Sequence, residues 1–403
     1  MAFEGRIERS IDELKERVHA SLVIELWNGR RIAFAEPARV TLRLSNPDAA
    51  RSLAEADLAT LGEAYVEGKI EIDGPMREAI RAAEAIARRG RGYRPGRLPR
   101  RLNRHSRARD AEAVRYHYDV SDDFYALWLG REMVYSCAYF RTGEEDLDAA
   151  QAQKLEHICR KLRLRPGQRL LDVGCGWGGL VRHAARHHGV DATGITLSAN
   201  QHAWANARIA EEGLGARCRV LLEDYRDHAA GEGYDAVASV GMFEHVGLKN
   251  LPLYFSTLHR LARDGGLVMN HGITAVDPES REVGLGGGAF IERYVFPHGE
   301  IPHLGLVLAT MGAAGLEAMD VETLRLHYAK TLWHWSDALE TRLDAARAIA
   351  GERRARVWRT YLAGCAHAFE QNWVTIHQVL AVKSGDPARN PLPWTRDWIY
   401  AEG

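Results

Sequence analysis

Hydrophobic and polar residues alternate with a period of two near the start of the 403-residue chain. The segment SLVIELW at 21–27 alternates apolar and polar residues, Asn28-Gly29 supplies a tight turn, and RRIAF at 30–34 resumes the alternation. This pattern predicts a β-hairpin. ARVTLRL at 38–44 predicts a further strand, and MREAIRAAEAIARR at 76–89 predicts a helix. Residues 1–87 are therefore predicted to form a small α+β domain with a binding or scaffolding role.

A different pattern begins after residue 165, where short apolar runs alternate with helical stretches. Strands separated by helices predict a parallel, doubly wound, Rossmann-like sheet, so the fold class is predicted to be α/β. The predicted strands are RLLDVG (169–174), DATGITL (191–197), CRVLLED (218–224), YDAVASVG (234–241) and GGLVMNHG (265–272).

Overall composition is that of an ordinary globular protein, with 46% hydrophobic residues, 27% charged residues and a formal net charge of −1. These values exclude a disordered, fibrous or strongly nucleic-acid-binding chain. Five cysteines without a C-x-x-C pair argue against a disulfide framework or a structural zinc, and favour a reducing cytoplasm. The longest charge-free apolar run, 304–316, is too short to span a bilayer, so a soluble or peripheral protein is expected.

Charge is concentrated in one segment. Ten arginines and no acidic residue lie between Arg88 and Arg109, together with prolines and glycines. This composition predicts a linker over residues 88–112. The segment is either a solvated connection or a patch that attracts an anionic surface, which could be phospholipid head groups or nucleic acid.

The run LLDVGCGWGGL at 170–180 predicts a buried strand that ends in a glycine-rich turn before a helix, which suits a nucleotide-like cofactor. NAD fits poorly, because the second strand ends in Thr196-Leu197-Ser198 rather than in an acidic residue. A nucleoside triphosphate also fits poorly, because no G-x-x-x-x-G-K-[ST] loop follows a strand. The D-x-G-x-G turn is instead typical of methyltransferases that use S-adenosylmethionine (SAM).

Six motifs narrow this prediction to a family. They are, in chain order, YHYDVSDDFYALWL (116–129), YSCAYF (135–140), GITLSANQ (194–201), SVGMFEHVG (239–247), ERYVFPHGEIP (292–302) and HYAKTLWHW (327–335). With them the chain resembles the cyclopropane-fatty-acyl-phospholipid synthases and the related mycolic acid cyclopropane synthases, over about residues 115–385. GEAYVEGKIEIDG at 62–74 also resembles the N-terminal domain of the bacterial phospholipid enzymes.

The resemblance implies a class I SAM-dependent methyltransferase domain over residues 113–390, a tail over 391–403 and an N-terminal domain that binds lipid or acts as a scaffold. It also implies a bicarbonate ion beside the substrate double bond. Its predicted ligands, the implied catalytic set, are Cys137, Glu244, His271, Ile273 through its backbone, and Tyr328. The implied SAM-binding residues are Tyr135, Ser136, Asp172, Gly174, Cys175, Gly176, Gly178, Thr196, Leu197, Ser198, Gln201, Asp224 and Tyr225.

The expected activity is cyclopropane formation on unsaturated acyl chains of membrane phospholipids. Methyl transfer without ring closure, which leaves a methylene- or methyl-branched chain, stays open as an alternative. A nucleic-acid methyltransferase is disfavoured, because GMFEHVG at 241–247 replaces the N-P-P-Y-like or cysteine motif expected after the fourth strand. The expected partners are anionic head groups on the inner face of the membrane and a second copy of the chain, with no nucleic acid. No metal is expected, since His183 and His187 are predicted to lie on a solvated helix face.

Overall fold

The structure is a computed structural model that describes residues 4–54, 57–89, 121–279, 284–297, 299–384 and 392–400. The chain divides into two compact units. The first comprises residues 1–100, 281–297 and 335–373, and the second comprises residues 101–280, 298–334 and 374–403. The predicted linker lies almost entirely outside the described residues, so the predicted domain boundaries stay predictions.

The strands have the following bounds: β1 Leu22–Glu25, β2 Arg31–Ala33, β3 Val40–Leu44, β4 Ile70–Asp73, β5 Arg169–Val173, β6 Asp191–Thr196, β7 Cys218–Leu222, β8 Tyr234–Val240, β9 Ala262–Ala275, β10 Leu316–Thr323 and β11 Val374–Lys383. The α-helices have the following bounds: α1 Glu4–Lys15, α2 Pro47–Ala54, α3 Leu58–Val66, α4 Met76–Arg89, α5 Asp122–Ala126, α6 Leu147–Lys161, α7 Gly179–His188, α8 Ala199–Glu211, α9 Leu251–Leu261, α10 Gly287–Tyr294, α11 Leu304–Ala313, α12 Arg325–Thr341, α13 Leu343–Ala350, α14 Glu352–Glu370 and α15 Asp397–Tyr400. None of the helices in the described part of the chain combines the length and apolar character needed to cross a bilayer.

The first unit is built on a four-stranded sheet with the order β2-β1-β3-β4. The predicted hairpin is confirmed, because β1 and β2 pair antiparallel with Val23 opposite Ala33. Gly29 lies in the turn with a φ of 83°, a left-handed conformation that favours glycine. Helix α4 covers residues 76–89 as predicted, whereas β4 and helices α1 to α3 were not predicted.

The second unit contains a seven-stranded sheet with the order β10-β11-β9-β8-β5-β6-β7. Strands β5 to β9 match the five predicted strands and pair parallel to one another. Strands β10 and β11 were not predicted, and β11 pairs antiparallel with both β9 and β10. The predicted doubly wound sheet is thus confirmed, with two further strands added, of which β11 runs antiparallel to the rest.

Strand β5 lies at the centre of this sheet. Leu170, Leu171 and Val173 are completely buried there, because helices cover both faces of the sheet. The chain order reverses at β5, which has β6 on one side and β8 on the other. Such a reversal opens a crevice at the carboxyl ends of the strands, where ligands of this architecture bind.

Candidate active site

The glycine-rich turn lies at this crevice, directly after β5. Gly174 and Gly176 have φ values of 81° and 55°, in the left-handed region. A Cβ atom on Gly174 would lie 2.8 Å from Cγ of Met242, whereas a Cβ atom on Gly176 would meet nothing within 4 Å. The backbone N–H groups of Gly174 and Cys175 both donate to the carbonyl oxygen of Ile195, at 3.0 Å. The turn is therefore tied to β6, and its Gly176 backbone faces open space.

A cavity of about 70 Å³ adjoins this turn. Many of the predicted cofactor residues line it. They come from the carboxyl end of β5 and the turn after it, from the segment before α6, and from the start of α8. They are Tyr135, Ser136, Asp172, Gly174, Cys175, Gly176 and Gln201. Trp177 also lines the cavity, and its Nε1 donates to Oδ1 of Asp122 at 2.8 Å, which anchors the turn to α5.

Lys154 lines the same cavity and was not predicted. Its side chain is 1% exposed, and its Nζ donates to Oγ of Ser136 at 2.8 Å. Burial lowers the pKa of Lys154 to about 8. The sequence did carry a signal, because Gln151 and Lys154 precede Leu155 and Ile158 at the spacing of one buried helical face.

Asp172 is the cavity's second buried ionisable group, at 3% exposure. Burial raises its pKa to about 7, although the nearby Lys154 acts in the opposite direction. Its Oδ1 atom is buried and has no hydrogen-bond partner among the described residues. The cavity therefore contains a free acceptor that can receive a hydrogen bond from a cationic ligand.

The remaining predicted cofactor residues do not line this cavity. Oγ1 of Thr196 donates to Oε1 of Gln201 at 2.8 Å, and Oγ of Ser198 accepts from the Gln201 backbone at 3.3 Å as the cap of α8. These two residues therefore position Gln201, and Leu197 lies between them. Gly178 caps α7 with a φ of 76°.

Asp224 and Tyr225 also lie outside the cavity lining. The carboxylate of Asp224 accepts from the guanidinium of Arg226 at 2.6 Å. Tyr225 is buried, and its ring packs edge-on against Tyr254 with centroids 5.8 Å apart. The role of this corner beside an adenine ring stays a prediction.

Glu244 lies in a short 3₁₀ turn, Phe243–His245, beyond the end of β8. Strand β9 continues past β8, so the backbone N–H of Ile273 is available to donate to Oε1 of Glu244 at 2.7 Å. The second oxygen, Oε2, is buried without a hydrogen-bond partner among the described residues. Burial raises the pKa of Glu244 to about 7, against the lowering effect of the Ile273 hydrogen bond. This carboxyl group can therefore hold or release a proton near neutral pH.

Gly272 positions Glu244 and was not predicted. A Cβ atom at Gly272 would lie 1.9 Å from Cε1 of Phe243, so the Phe243 ring packs directly on the strand backbone. Phe243 is 1% exposed and immediately precedes Glu244. The missing side chain at Gly272 therefore lets the 3₁₀ turn approach β9.

His271 precedes Ile273 by two residues on β9, so both side chains lie on the same face of the strand. The ring is 1% exposed, and Nε2 of Gln378 on β11 is 3.2 Å from its Nδ1. An amide nitrogen can only donate, which places the imidazole proton on Nε2 of His271. Burial keeps the pKa of His271 well below its usual range, so the ring is neutral. Nε2 has no partner among the described residues.

Cys137 and Tyr328 meet at one carbonyl group. Sγ of Cys137 lies 3.8 Å from the carbonyl oxygen of Leu324, and the backbone N–H of Tyr328 donates to that same oxygen at 3.0 Å. Burial raises the pKa of Cys137 well above its usual range, so its thiol stays protonated and is not a nucleophile. Both Cys137 and His271 lie within electrostatic range of Lys154.

The two histidines expected on a solvated helix face differ in exposure. His187 is exposed as expected, but the side chain of His183 is only 14% exposed. Its Nε2 lies 3.2 Å from Oε2 of Glu156. The prediction was wrong for His183 because α7 packs this side against α6.

Two family models match the chain. The mycolic acid cyclopropane synthetase family matches residues 105–379. A domain of unknown function matches residues 12–88. The first match covers most of the second unit, including the glycine turn, Glu244 and His271.

Individual proteins agree with this match. A Pseudomonas putida protein named "Probable fatty acid methyltransferase" is 49% identical over 385 residues, which are 96% of this chain and 98% of that protein. Sphingolipid C9-methyltransferase A of Emericella nidulans is 35% identical over 285 residues, 70% of this chain and 55% of that protein.

The solved structure of mycolic acid cyclopropane synthase CmaA1 complexed with SAH and CTAB superposes with a TM-score of 0.64 at 36% identity. The match covers 68% of this chain and 98% of that chain. The predicted resemblance is confirmed, and so is the class I SAM-methyltransferase fold. The chain therefore belongs to the mycolic acid cyclopropane synthetase family.

Proposed function

We propose that this protein transfers the methyl carbon of SAM to the cis double bond of an unsaturated acyl chain in a phospholipid and closes a cyclopropane ring. Family membership supports SAM-dependent methyl transfer to a lipid. The net reaction adds one CH₂ unit to the alkene, converts SAM to S-adenosylhomocysteine and releases one proton.

The single observation that carries the proposal is the pair of buried atoms without partners, Oε2 of Glu244 and Nε2 of His271. Unpaired polar atoms in the interior cost free energy, so such a pair favours a bound polar group. His271 offers an N–H donor, and Glu244 offers an acceptor or, when protonated, a donor. Bicarbonate fits this donor set, because it carries one O–H group and several acceptor oxygens.

Bound bicarbonate would supply a weak base beside the substrate. Glu244 and His271 would hold it, and the neutral state of His271 keeps the ring from competing for the proton. The raised pKa of Glu244, about 7, suits a carboxyl group that exchanges a proton near neutral pH. Tyr328 is 7% exposed, and its ring would stabilise positive charge on the acyl chain through its π face.

Bound SAM would supply an electrophilic methyl group from the crevice at the end of β5. The open backbone at Gly176 would let the cofactor approach closely, and the unpaired Oδ1 of Asp172 would accept from its ammonium group. Gln201, which Thr196 and Ser198 hold in place, also lines this cavity.

The phospholipid substrate, the contact with anionic head groups and a homodimer belong to the proposal. The resemblance to the phospholipid enzymes supports all three. The ten arginines between Arg88 and Arg109 support the contact with anionic head groups. Arginines close to an anionic membrane would each contribute about 1 kcal/mol to binding.

A second candidate is methyl transfer without ring closure. Its support is the 49% identical relative, whose name specifies fatty acid methyl transfer and no ring. Loss of the proton from the methylated carbon would leave a methyl-branched alkene, and a 1,2-hydride shift followed by loss of a methyl proton would leave a methylene branch.

Proton NMR of fatty esters separates the two candidates. Purified protein is incubated with SAM and vesicles of a cis-monounsaturated phospholipid, and the esters are released for analysis. Cyclopropane protons upfield of the acyl methylenes are the expected result. New alkene or branched-methyl signals would establish the second candidate, and unchanged lipid together with retained SAM binding would contradict both.

A further inference from the structure

Helices α6 and α7 bring together a group of possible metal ligands that do not line the proposed cofactor cavity. Cys159 lies in the last turn of α6, and His183 and His188 lie on α7. The Cys159 sulfur and one ring nitrogen from each histidine all lie within 4.8 Å of one another. Cys159 is completely buried, and the two histidine side chains are 14% and 17% exposed.

Glu156 adds a fourth donor atom, one turn before Cys159 on α6. Its Oε2 is 3.2 Å from Nε2 of His183 and 2.9 Å from Nε2 of His188. Two imidazole rings thus converge on one carboxylate oxygen, while Oε1 of the same carboxylate accepts from Arg160 at 2.8 Å.

We propose that Cys159, His183, His188 and Glu156 form a zinc-binding site. Thiolate, imidazole and carboxylate are all ligands of Zn²⁺, which is almost always four-coordinate and tetrahedral in structural sites. Bond lengths of about 2.0–2.3 Å to zinc require donor atoms roughly 3.3–3.8 Å apart. The Cys159 sulfur and the two histidine nitrogens, which lie within 4.8 Å of one another, would move slightly closer, and the Glu156 carboxylate beside the histidines would turn to fill the fourth position. Binding deprotonates the Cys159 thiol and releases that proton to solvent.

A path for the ion is present. Glu156 and His183 line a cavity of about 470 Å³ that also borders His187 and Arg186. The ion would join α6 to the end of α7, the helix that starts at the glycine turn. On α6, Leu155 and Ile158 line the cofactor cavity, so zinc would stabilise the helix that forms one wall of that cavity. This role is structural, and it does not depend on the reaction that the protein performs.

Metal analysis of the full-length protein tests the proposal. The protein is stripped with a chelator, loaded with a small excess of ZnCl₂, desalted and analysed for zinc by mass spectrometry. One zinc per chain is expected, together with a higher melting temperature on zinc addition. His188→Gln removes a ligand and should weaken zinc binding at least ~100-fold, since loss of a mere outer-shell partner already costs about 10–100-fold.

His187→Gln is the matched control. This exposed histidine lies on the same helix, with its ring 4.5 Å from that of His183, but it is not one of the clustered donors. It should bind zinc like the unmodified protein. Cobalt(II) loading adds a test for Cys159, because thiolate coordination gives an intense near-ultraviolet absorption that Cys159→Ser should abolish.

The proposal is overturned if the unmodified protein retains no stoichiometric zinc, or if His188→Gln and His187→Gln bind zinc equally. A cobalt spectrum without the thiolate absorption would also contradict it. His188 is partly exposed, so His188→Gln remains informative even if the buried Cys159→Ser variant does not fold.

Discussion

The side-chain amide of Gln378 donates a hydrogen bond to Nδ1 of His271 over 3.2 Å, and this contact fixes the tautomer of the imidazole. Gln378 lies on β11 and His271 on β9, directly opposite each other in the antiparallel pair. Both residues are buried, so no solvent competes for the bond. A residue 107 positions away in the sequence therefore decides that Nε2 of His271 is a donor.

Gln378→Met should lower kcat about 10–100-fold, because it leaves the buried Nδ1 of His271 without a hydrogen-bond donor, a loss of about 1–3 kcal/mol. The KM for SAM should stay unchanged, because Gln378 does not line the SAM cavity. Gln378→Glu should lower kcat further, since a carboxylate accepts from Nδ1–H and reverses the tautomer. Nitrogen NMR of the His271 ring reads the tautomer directly. Equal kcat values for the two variants, with an unchanged tautomer, would refute this role.

Glu244→Gln should reduce kcat roughly 10²–10⁴-fold, because it removes the group that exchanges a proton in the proposed reaction. Formation of S-adenosylhomocysteine in the presence of lipid vesicles measures the effect. SAM affinity by calorimetry should change little, because Glu244 does not line the SAM cavity. A variant with normal turnover would exclude Glu244 from the mechanism.

The same variant should change the pH dependence of stability. The pKa of Glu244 is raised in the folded state from an ordinary value of 4.5 to about 7, so the folded protein binds more protons between these values. The free energy of unfolding should therefore fall as pH rises from 4.5 to 7, by at most ~3 kcal/mol, and this contribution stays constant above 7. In denaturant titrations between pH 4.5 and 7, the free energy of unfolding of Glu244→Gln should not show this fall. Parallel pH profiles for the two proteins would show that the carboxyl group titrates normally.

Gly272→Ala should destabilise the protein by about 1–3 kcal/mol and lower kcat, because the new methyl group would overlap the Phe243 ring and displace Glu244. Gly312→Ala is the matched control on α11, where a Cβ atom meets nothing within 4 Å. It should be neutral or stabilise by up to about 1 kcal/mol. Urea titration and turnover assays compare the two, and similar effects of both substitutions would contradict the proposed contact.

Lys154→Met should raise the KM for SAM about tenfold, since a rise of about one unit in the pKa of the neighbouring Asp172 corresponds to roughly 1.4 kcal/mol. Without Lys154 the carboxyl of Asp172 becomes harder to ionise and accepts less strongly from a cationic ligand. Lys330→Met is a suitable control, because Lys330 lies over the Phe140 ring and does not line the SAM cavity. Calorimetric SAM binding that is equal in both variants would argue against this role.

Replacing several arginines between Arg88 and Arg109 with glutamine should weaken binding to anionic phospholipid vesicles, by about 1 kcal/mol for each arginine that approaches the surface. Vesicle sedimentation at increasing salt measures the effect, and neutral vesicles are the control. Unchanged binding and activity would show that this segment only connects the two parts of the chain.

The local patterns predicted those features that depend on neighbouring residues. The alternation in 21–34 predicted the hairpin, and the apolar runs predicted β5 to β9, because a strand buried on both faces must be apolar throughout. Strand β11 escaped prediction, since VTIHQVLAVK mixes polar and apolar residues and could also be read as a helix. The burial of Lys154 in the cofactor cavity was not predicted either, because a lysine in an amphipathic helix is usually exposed.

By itself the sequence determined the family, the class of fold and the cofactor turn, because the glycine spacing and the six motifs are local and ordered along the chain. It also indicated Glu244 and His271 through the resemblance. Only the tertiary structure decided their chemical state. Burial raises the pKa of Glu244 and lowers that of His271, and Gln378 fixes the tautomer from a distant strand. Solvent exclusion and cross-strand contacts arise from packing between distant segments, so no local pattern encodes them.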